Sequence, residues 1–424
     1  MQGNEQMPPW LIPMLYVAGG IVCGFGLPRI EHAYLADYKL GLSVASTQAF
    51  LSGAASGMMA LTGIVFAIGT VMVQFSAIAY SPRLALWLLR DRTLFHALGV
   101  FAATFLYALS TLAWVDREGS GTVPLFSNIL VLVLLIASMF LFSLLVQRLN
   151  DLQITNVLQM IGNKGRAVIR DSLKPQDSRP AQNSDATIQL GPVTQTLKYA
   201  GEPRTIAKFD IAALTQQADE AGAVIVMACA VGDTLVENTL LLHVHGASKP
   251  LSEKGIMQAI ELATERTFEQ DPKFAIRLLV DIAIKALSPA INDPTTAVQA
   301  LDQIEDLLGR LGLCGLDDGY SRGVSGAVRV IVPMPTWEDY LTLSFDEIRQ
   351  FGASSVQVVR RLRSALISVA GALPSADRAE AIQRYLKHLD VAIERSPFDA
   401  EDQATARQED RQGLGLTRKR GRTI

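Results

Sequence analysis

Four long stretches without a single Asp, Glu, Lys or Arg constrain this chain more than any other feature. They run from Gln6 to Pro28, Leu40 to Pro82, Thr93 to Val115 and Gly119 to Gln147. A bilayer core about 30 Å thick takes roughly 20 apolar residues to cross as a helix, and an ionised side chain at that depth is costly. Within the gaps, membrane spans are expected at about 10–28, 57–80, 94–114 and 124–146. Composition points the same way: 49% of residues are hydrophobic and 19% charged, with a mean hydropathy of +0.25, against roughly 25% charged residues in an average soluble domain. The amino end of the first span carries Glu5 rather than basic residues, and three more spans follow, so it reads as a retained helix and not a cleaved signal.

The distribution of Lys and Arg around the span ends sets an expected orientation. Arg83, Arg90 and Arg92 lie between spans two and three, and Arg148, Lys164, Arg166 and Arg170 follow span four; the other side has Arg29, Lys39 and Arg117. The larger basic set is expected to face the cytoplasm of a bacterial cell, with both termini on that side of the inner membrane. The net charge of −3 gives no general attraction to nucleic acid. Cys23, Cys229 and Cys314 follow neither a disulfide nor a zinc pattern.

Span two lies in a charge-free gap of 43 residues, too long for one crossing, and its early part (SVASTQAFLSGAASG) is small and polar. A helix that projects beyond the outer face is expected. One face of it carries Ser52, Ser56, Met59, Gly63, Phe66, Thr70 and Gln74. Two readings stay open: helix packing, to which the Gly53/Gly57 pair would contribute, or a pore lined by several copies of this stripe.

The remainder reads as an α+β region. We expect residues 1–150 to form a four-span membrane domain, 151–186 a juxtamembrane segment and linker, 187–250 a β-rich subdomain, 251–396 a mainly helical subdomain, and 397–424 a disordered charged tail ending in RKRGR. Within the β-rich part, GPVTQTLKYAGEP gives two short strands, Ile211–Glu220 a helix, and AVIVMACAVGDTLVENTLLLHVHG two strands joined by a Gly-Asp turn. The rhythm around that turn resembles lipoyl-type barrel-sandwich modules, but the lysine that carries their cofactor is absent, so the module reads as scaffold. Helices are expected at 252–268, 272–287, 294–311, 337–350, 354–372 and 376–394, with a strand at Val328–Val332.

The segment ALSPAINDPTTAVQAL interrupts this helical run. A residue before proline is pushed out of the α region, so the helix FAIRLLVDIAIKAL should stop near Leu287. Asp293 is then a natural N-cap and Pro294 a natural first helical residue. The stretch reads either as a tight interhelical corner or as a ligand or gating site. In the second reading Asn292, Asp293, Thr295 and Thr296 present a helix terminus, with Arg266 and Asp271 brought near if the preceding helices fold back.

Arg266, Thr267, Gln270, Asp271 and Pro272, then Ser288, Pro289, Asn292, Asp293, Pro294 and Thr296, together with YSPRLALWLLRD after span two, carry a resemblance over nearly the whole chain. The sequence resembles the bacterial family of predicted membrane proteins defined by a domain of unknown function, DUF2254. The resemblance implies four spans before a cytoplasmic part and supplies no established activity.

His243 and His245 share a strand face without a third ligand nearby, so they read as ordinary strand residues and no metal site is expected. No nucleophile elbow, phosphate loop, dinucleotide fingerprint or zinc-protease motif occurs, so the chain reads as non-enzymatic and without a cofactor. The leading expectation is a homo-oligomeric ion channel or channel-like transporter in the lipid bilayer, with span two lining the pore and a cytoplasmic gating or sensing region that takes ions or a small ligand. The alternative is a membrane-anchored ligand sensor or scaffold without transport. Nucleic acid is not an expected partner.

Overall fold

The computed structural model describes residues 8, 10–34, 43–79, 92–116, 123–151, 153–175, 190–316 and 319–411. The chain divides after Gln153 into two units, each with its own contacts. The first contains α1 (Leu11–Tyr34), α2 (Val44–Ala79), α3 (Arg92–Leu112) and α4 (Leu125–Asp151). All four are long and apolar enough to cross a membrane. The basic residues Arg83 and Arg90 of the second-to-third connection lie outside the described residues.

Three helices, α1, α2 and α4, are longer than their expected spans. At 36 residues α2 is about 54 Å long, beyond a bilayer core of about 30 Å, as the polar amino-terminal part required. α1 passes its charge-free stretch and continues through Pro28 to Tyr34, which draws Glu31 into the helical unit. Close packing in this unit falls on α1 and α3. A Cβ on Gly20 would stand 2.9 Å from the Ala103 carbonyl oxygen, and one on Gly24 2.7 Å from Ser110 Cβ. The glycine pair that packs helices within the chain is thus Gly20/Gly24, whereas Cβ atoms on Gly53 and Gly57 would meet nothing within 4 Å.

The second unit opens with α5 (Ile154–Ser172), an amphipathic helix inside the expected juxtamembrane segment. Its apolar face, with Val157, Leu158 and Ile161 buried, belongs to the core of this unit. Close approach depends on Gly165, where a Cβ would lie 2.9 Å from Ala275 and from both Leu307 methyls. Gly165→Leu should destabilise the unit by about 1–3 kcal/mol through overpacking; an unchanged unfolding midpoint would refute this docking. Residues 176–189, the core of the expected linker, lie outside the described residues.

The strands follow a less local plan than expected. β1 (Val193–Lys198), β2 (Arg204–Phe209), α6 (Ile211–Glu220), β3 (Val224–Met227), β4 (Thr234–Leu235) and β5 (Leu240–His245) occupy the β-rich segment. β3 and β5 pair antiparallel, but the Gly232-Asp233 turn between them feeds β4, which belongs to a different sheet. α7 (Glu253–Gln258) is only six residues long, and β6 (Ile260–Ala263) follows it where the helix expected over 252–268 would have continued. Gly255 weakens the helix, and the open edge of β2 takes Ile260–Ala263 as an antiparallel partner. β7 (Tyr320–Arg322) and β8 (Val328–Ile331) come from still farther along; β8 pairs parallel with β3. The sheets therefore run β1-β5-β3-β8-β7 and β4-β2-β6, and the β-rich layer is completed by sequence assigned to the helical part.

α8 (Pro272–Ala286), α9 (Pro294–Leu311), α10 (Trp337–Gly352), α11 (Val356–Ala372) and α12 (Ala376–Glu394) match their expected extents closely. Their starts are set by local chemistry: Asp271, Asp293, Thr336, Ser355 and Ser375 each accept a hydrogen bond from the first-turn backbone. The expected disordered tail needs correction. Residues Ala400–Ala406 form α13, and beyond it Asp410 is buried 3.5 Å from the equally buried Arg360, so an internal guanidinium holds this end of the chain. The RKRGR cluster lies outside the described residues.

Four carboxyl groups among the described residues of this unit are held below the usual range: Asp339 by the Thr336 N–H, Asp219 by the Val324 N–H and then Arg329, Glu347 by Arg277, and Asp306, where burial acts upward but Arg310 and Arg166 outweigh it. A depressed folded-state pKa stabilises fully above the unfolded value and is lost as pH falls through the folded one. Burial pushes Asp302 the opposite way, so it opposes this trend. The melting temperature of the second unit should hold between pH 7 and 5 and fall steadily below about pH 4; a flat profile to pH 3 would contradict it.

Candidate functional site

Two separate regions carry the residues singled out from the sequence. On α2, Leu51, Ala54, Ala55, Met58 and Val65 are buried within the first unit. A flanking face, roughly 110° around the helix, carries Ser52, Ser56, Met59, Gly63, Phe66, Thr70 and Gln74, and every one of them is exposed. Met59 and Phe66 expose 59% and 69% of their surface. Thr70 turns its hydroxyl back to the Phe66 carbonyl at 2.9 Å, so it satisfies itself within the helix. Packing inside the chain therefore does not account for this stripe.

The neighbouring helices look different. α4 exposes Phe126, Ile129, Val133, Ile136, Met139 and Phe140, and α1 exposes Met14, Val22 and Phe25. Large apolar side chains are what a lipid-facing surface offers. α2 interleaves its few bulky residues with exposed Ser52, Gly53, Ser56, Gly57, Ala60, Gly63, Ala67 and Thr70.

The second region is in the 154–411 unit. Asp271 is 3% exposed, and it accepts from Arg266 through both carboxylate oxygens, including Nη2 to Oδ1 at 3.1 Å, while also capping α8 through the Phe274 N–H. Arg266 lies over the Phe274 ring, 6.0 Å from its centroid, and Phe268 packs on the same ring. The Gly232 backbone closes over the pair: a Cβ there would be 2.5 Å from Asp271 Oδ2 and 2.7 Å from Arg266 Nε. Gln270 completes the join by pairing with both backbone groups of Phe209 in β2. Buried Tyr340 of α10 is also close; burial first, and then the Asp271 charge, raise its phenol pKa. Arg266, Gln270 and Asp271 thus clasp the β-layer to the start of α8.

The Asn292 cluster forms the other predicted group. Asn292 has φ +49° and its N–H donates to Ser288 O at 2.8 Å, while the Asp293 N–H donates to Ala286 O. Asp293 accepts from the Thr296 N–H at 3.1 Å and from the Thr296 hydroxyl at 2.6 Å. Thr295 is exposed beside them. This is a closed interhelical corner. The fifteen residues of α8 separate it from Asp271 by about 22 Å of helix, so Arg266 and Asp271 do not join Asn292, Asp293, Thr295 and Thr296 in one site. Asp293→Ala should cost about 0.5–2 kcal/mol, the value of a lost N-cap; a loss of binding to some ligand without any loss of stability would speak against the corner.

His243 and His245 already have partners in Thr196 Oγ1 at 3.0 Å and the Gly191 carbonyl at 2.8 Å. Among the described residues no group of three or more His, Cys, Asp or Glu could hold a metal ion.

One polar cluster escaped the sequence reading. Glu31 of α1, 6% exposed, accepts from the N–H groups of Phe126 and Ser127 at 2.8 and 3.1 Å and from the Ser127 hydroxyl at 3.0 Å. It caps the start of α4 from another helix. The signal lay in Pro124-Leu-Phe-Ser-Asn, a helix start with bare amides, and in the acid seven residues after Gly24. Ending the first span at the last charge-free residue hid it.

The fold thus defines a membrane protein with four apolar helices followed by a mixed α/β region. The chain belongs to the predicted membrane protein family DUF2254, whose model matches residues 8–368. It is 26% identical over 417 residues to uncharacterized protein Rv1290c of Mycobacterium tuberculosis, covering 93% of this chain and 78% of that protein. Uncharacterized protein Mb1321c of Mycobacterium bovis is similar at the same identity and coverage. No solved structure matches the chain.

Proposed function

We propose that this protein is a homo-oligomeric ion channel, without enzymatic activity, in which copies of α2 surround the conducting axis. The observation that carries this reading is the exposed stripe from Ser52 to Gln74 on a helix whose neighbours expose large apolar side chains. Small residues allow helices from separate chains to approach, and hydroxyl and amide groups between them favour water over lipid. Met59 and Phe66 are then the constrictions. The 154–411 unit faces the cytoplasm of the inner membrane in this reading, on the side of the larger Lys and Arg set, where it forms a vestibule or gate.

Ion flux through liposomes containing the full chain tests this directly. The native protein should conduct, and Thr70→Leu and Gln74→Leu should each change the flux by about tenfold, as expected for apolar groups closing a hydrated constriction. Cysteines at Ser56 and Gly63 should react with a water-soluble thiol reagent in the assembled protein. Absence of flux for every ion tested, from a folded oligomer, would refute the channel.

A further inference from the structure

The first unit has a groove that its own side chains leave unfilled. It holds about 500 Å³ and lies between α1, α3 and α4. Ala103 and Tyr107 of α3, 7% and 1% exposed, close its floor; Gly19 of α1 stands in one wall, and Leu130 and Leu134 of α4 in the other. α1 and α3 run parallel along it, with Tyr16 beside Gly99, Gly20 beside Ala103 and Gly24 beside Tyr107. Gly19 keeps its wall low, since a Cβ there would meet nothing within 4 Å. Among the described residues none of α2 lines the groove.

One end of the groove is polar. Tyr16 Oη and His96 Nδ1 are 3.2 Å apart, with the rings edge to face. Neither side chain has another hydrogen-bond partner among the described residues. In one tautomer of neutral His96 the phenol donates to Nδ1 and the Nε2–H is left over; in the other Nδ1–H donates and the phenol O–H is left over. Either way one donor remains for an outside oxygen. Tyr16 comes five positions after Leu11 and His96 four after Arg92, about 6–8 Å along their helices, the level at which aromatic side chains meet lipid headgroups. From His96 the groove follows α3 for about 17 Å to Tyr107, over small and apolar side chains.

We propose that this groove binds one phospholipid, with an acyl chain on Ala103 and Tyr107 and a headgroup oxygen accepting the hydrogen bond that Tyr16 and His96 leave unused. Left empty, the groove would forfeit dispersion contacts along its whole lining, and its apolar part offers water too few partners. A hydrocarbon chain restores those contacts. A phosphate is the strongest acceptor that the interface presents to a free N–H or O–H, and it fixes which end of the lipid lies at Tyr16. A largely apolar cavity of several hundred cubic ångströms between helices, with a few polar groups at one end, is the usual form of a small-molecule site. The lipid joins α1 to α4 across α3. The site is independent of α2 and of conduction, so it stands or falls separately from the channel reading.

Native mass spectrometry of the full chain in detergent, titrated with palmitoyl-oleoyl phosphatidylglycerol, tests the proposal. One phospholipid per chain should stay bound at collision energies that strip all others. Gly19→Leu fills the groove and should abolish that retention, whereas Gly26→Leu, the same change on the same helix outside the groove and also with open space at its Cβ, should leave it intact. Tyr16→Phe with His96→Phe removes both donors, keeps two rings, and should weaken the apparent affinity about tenfold. Retention undiminished in Gly19→Leu, or lost equally in Gly26→Leu, would overturn the site. So would an isoprenoid lipid held in place of the phospholipid, or a dimer that Gly19→Leu disrupts, which would put a second copy of the chain in the groove. If Gly19→Leu fails to fold, the double ring variant decides, and an unchanged affinity there refutes the site.

Discussion

Asp271→Ala is expected to lower the stability of the 154–411 unit by about 3–5 kcal/mol, the cost of leaving one member of a buried ion pair without the other. Asp271 is almost wholly inside, holds Arg266 with both oxygens and caps α8 with one of them. Its removal strands the guanidinium between the Phe274 ring and the Gly232 backbone. Replacing both partners, as Arg266→Met with Asp271→Leu, should recover much of the loss, since an apolar pair of similar volume carries no desolvation penalty. Chemical denaturation of the full chain in detergent, monitored on the transition of the second unit, measures both. A loss below about 1 kcal/mol for Asp271→Ala would mean that the pair is not the clasp described.

Gly232→Val should produce the second large effect, about 2–4 kcal/mol, from two sources that act together. The backbone at Gly232 has φ +90°, a region costly for a β-branched residue, and the new Cβ would enter the space held by Asp271 and Arg266. Because the two substitutions disturb the same contact, the double variant Gly232→Val with Asp271→Ala should lose clearly less than the sum of the single losses. Strict additivity, measured by the same denaturation cycle, would separate the turn from the ion pair. The ligand reading of Asp271 is weakened on these grounds: burial, the paired guanidinium and the cap occupy all of its chemistry.

The membrane helices were legible because the hydrocarbon penalty acts residue by residue, so gaps in charge mark them directly. Their ends were less legible, because an acid such as Glu31 is tolerated when another helix offers amides to it, and that helix begins 94 positions later at Leu125. The helix stop and restart between Leu287 and Thr296 were legible, because Pro289, Asp293 and Pro294 act on their immediate neighbours, whereas the choice between corner and ligand site was not. The strand at 260–263 was not. Ile260–Ala263 alone favours no one state strongly, and the edge of β2, more than fifty residues earlier, decides it.

The sequence by itself determined the four apolar helices and the starts of α8 to α12, since burial in lipid, proline geometry and side-chain caps are local effects of single residues. Only the tertiary structure decided that β8 lies parallel to β3, that Arg266 meets Asp271 under Gly232 while Asn292 stands at the far end of α8, that the small stripe of α2 stays uncovered within the chain, and that Glu31 of α1 caps the start of α4. Each depends on which distant surfaces pack together, and periodicity along one chain carries no record of that register.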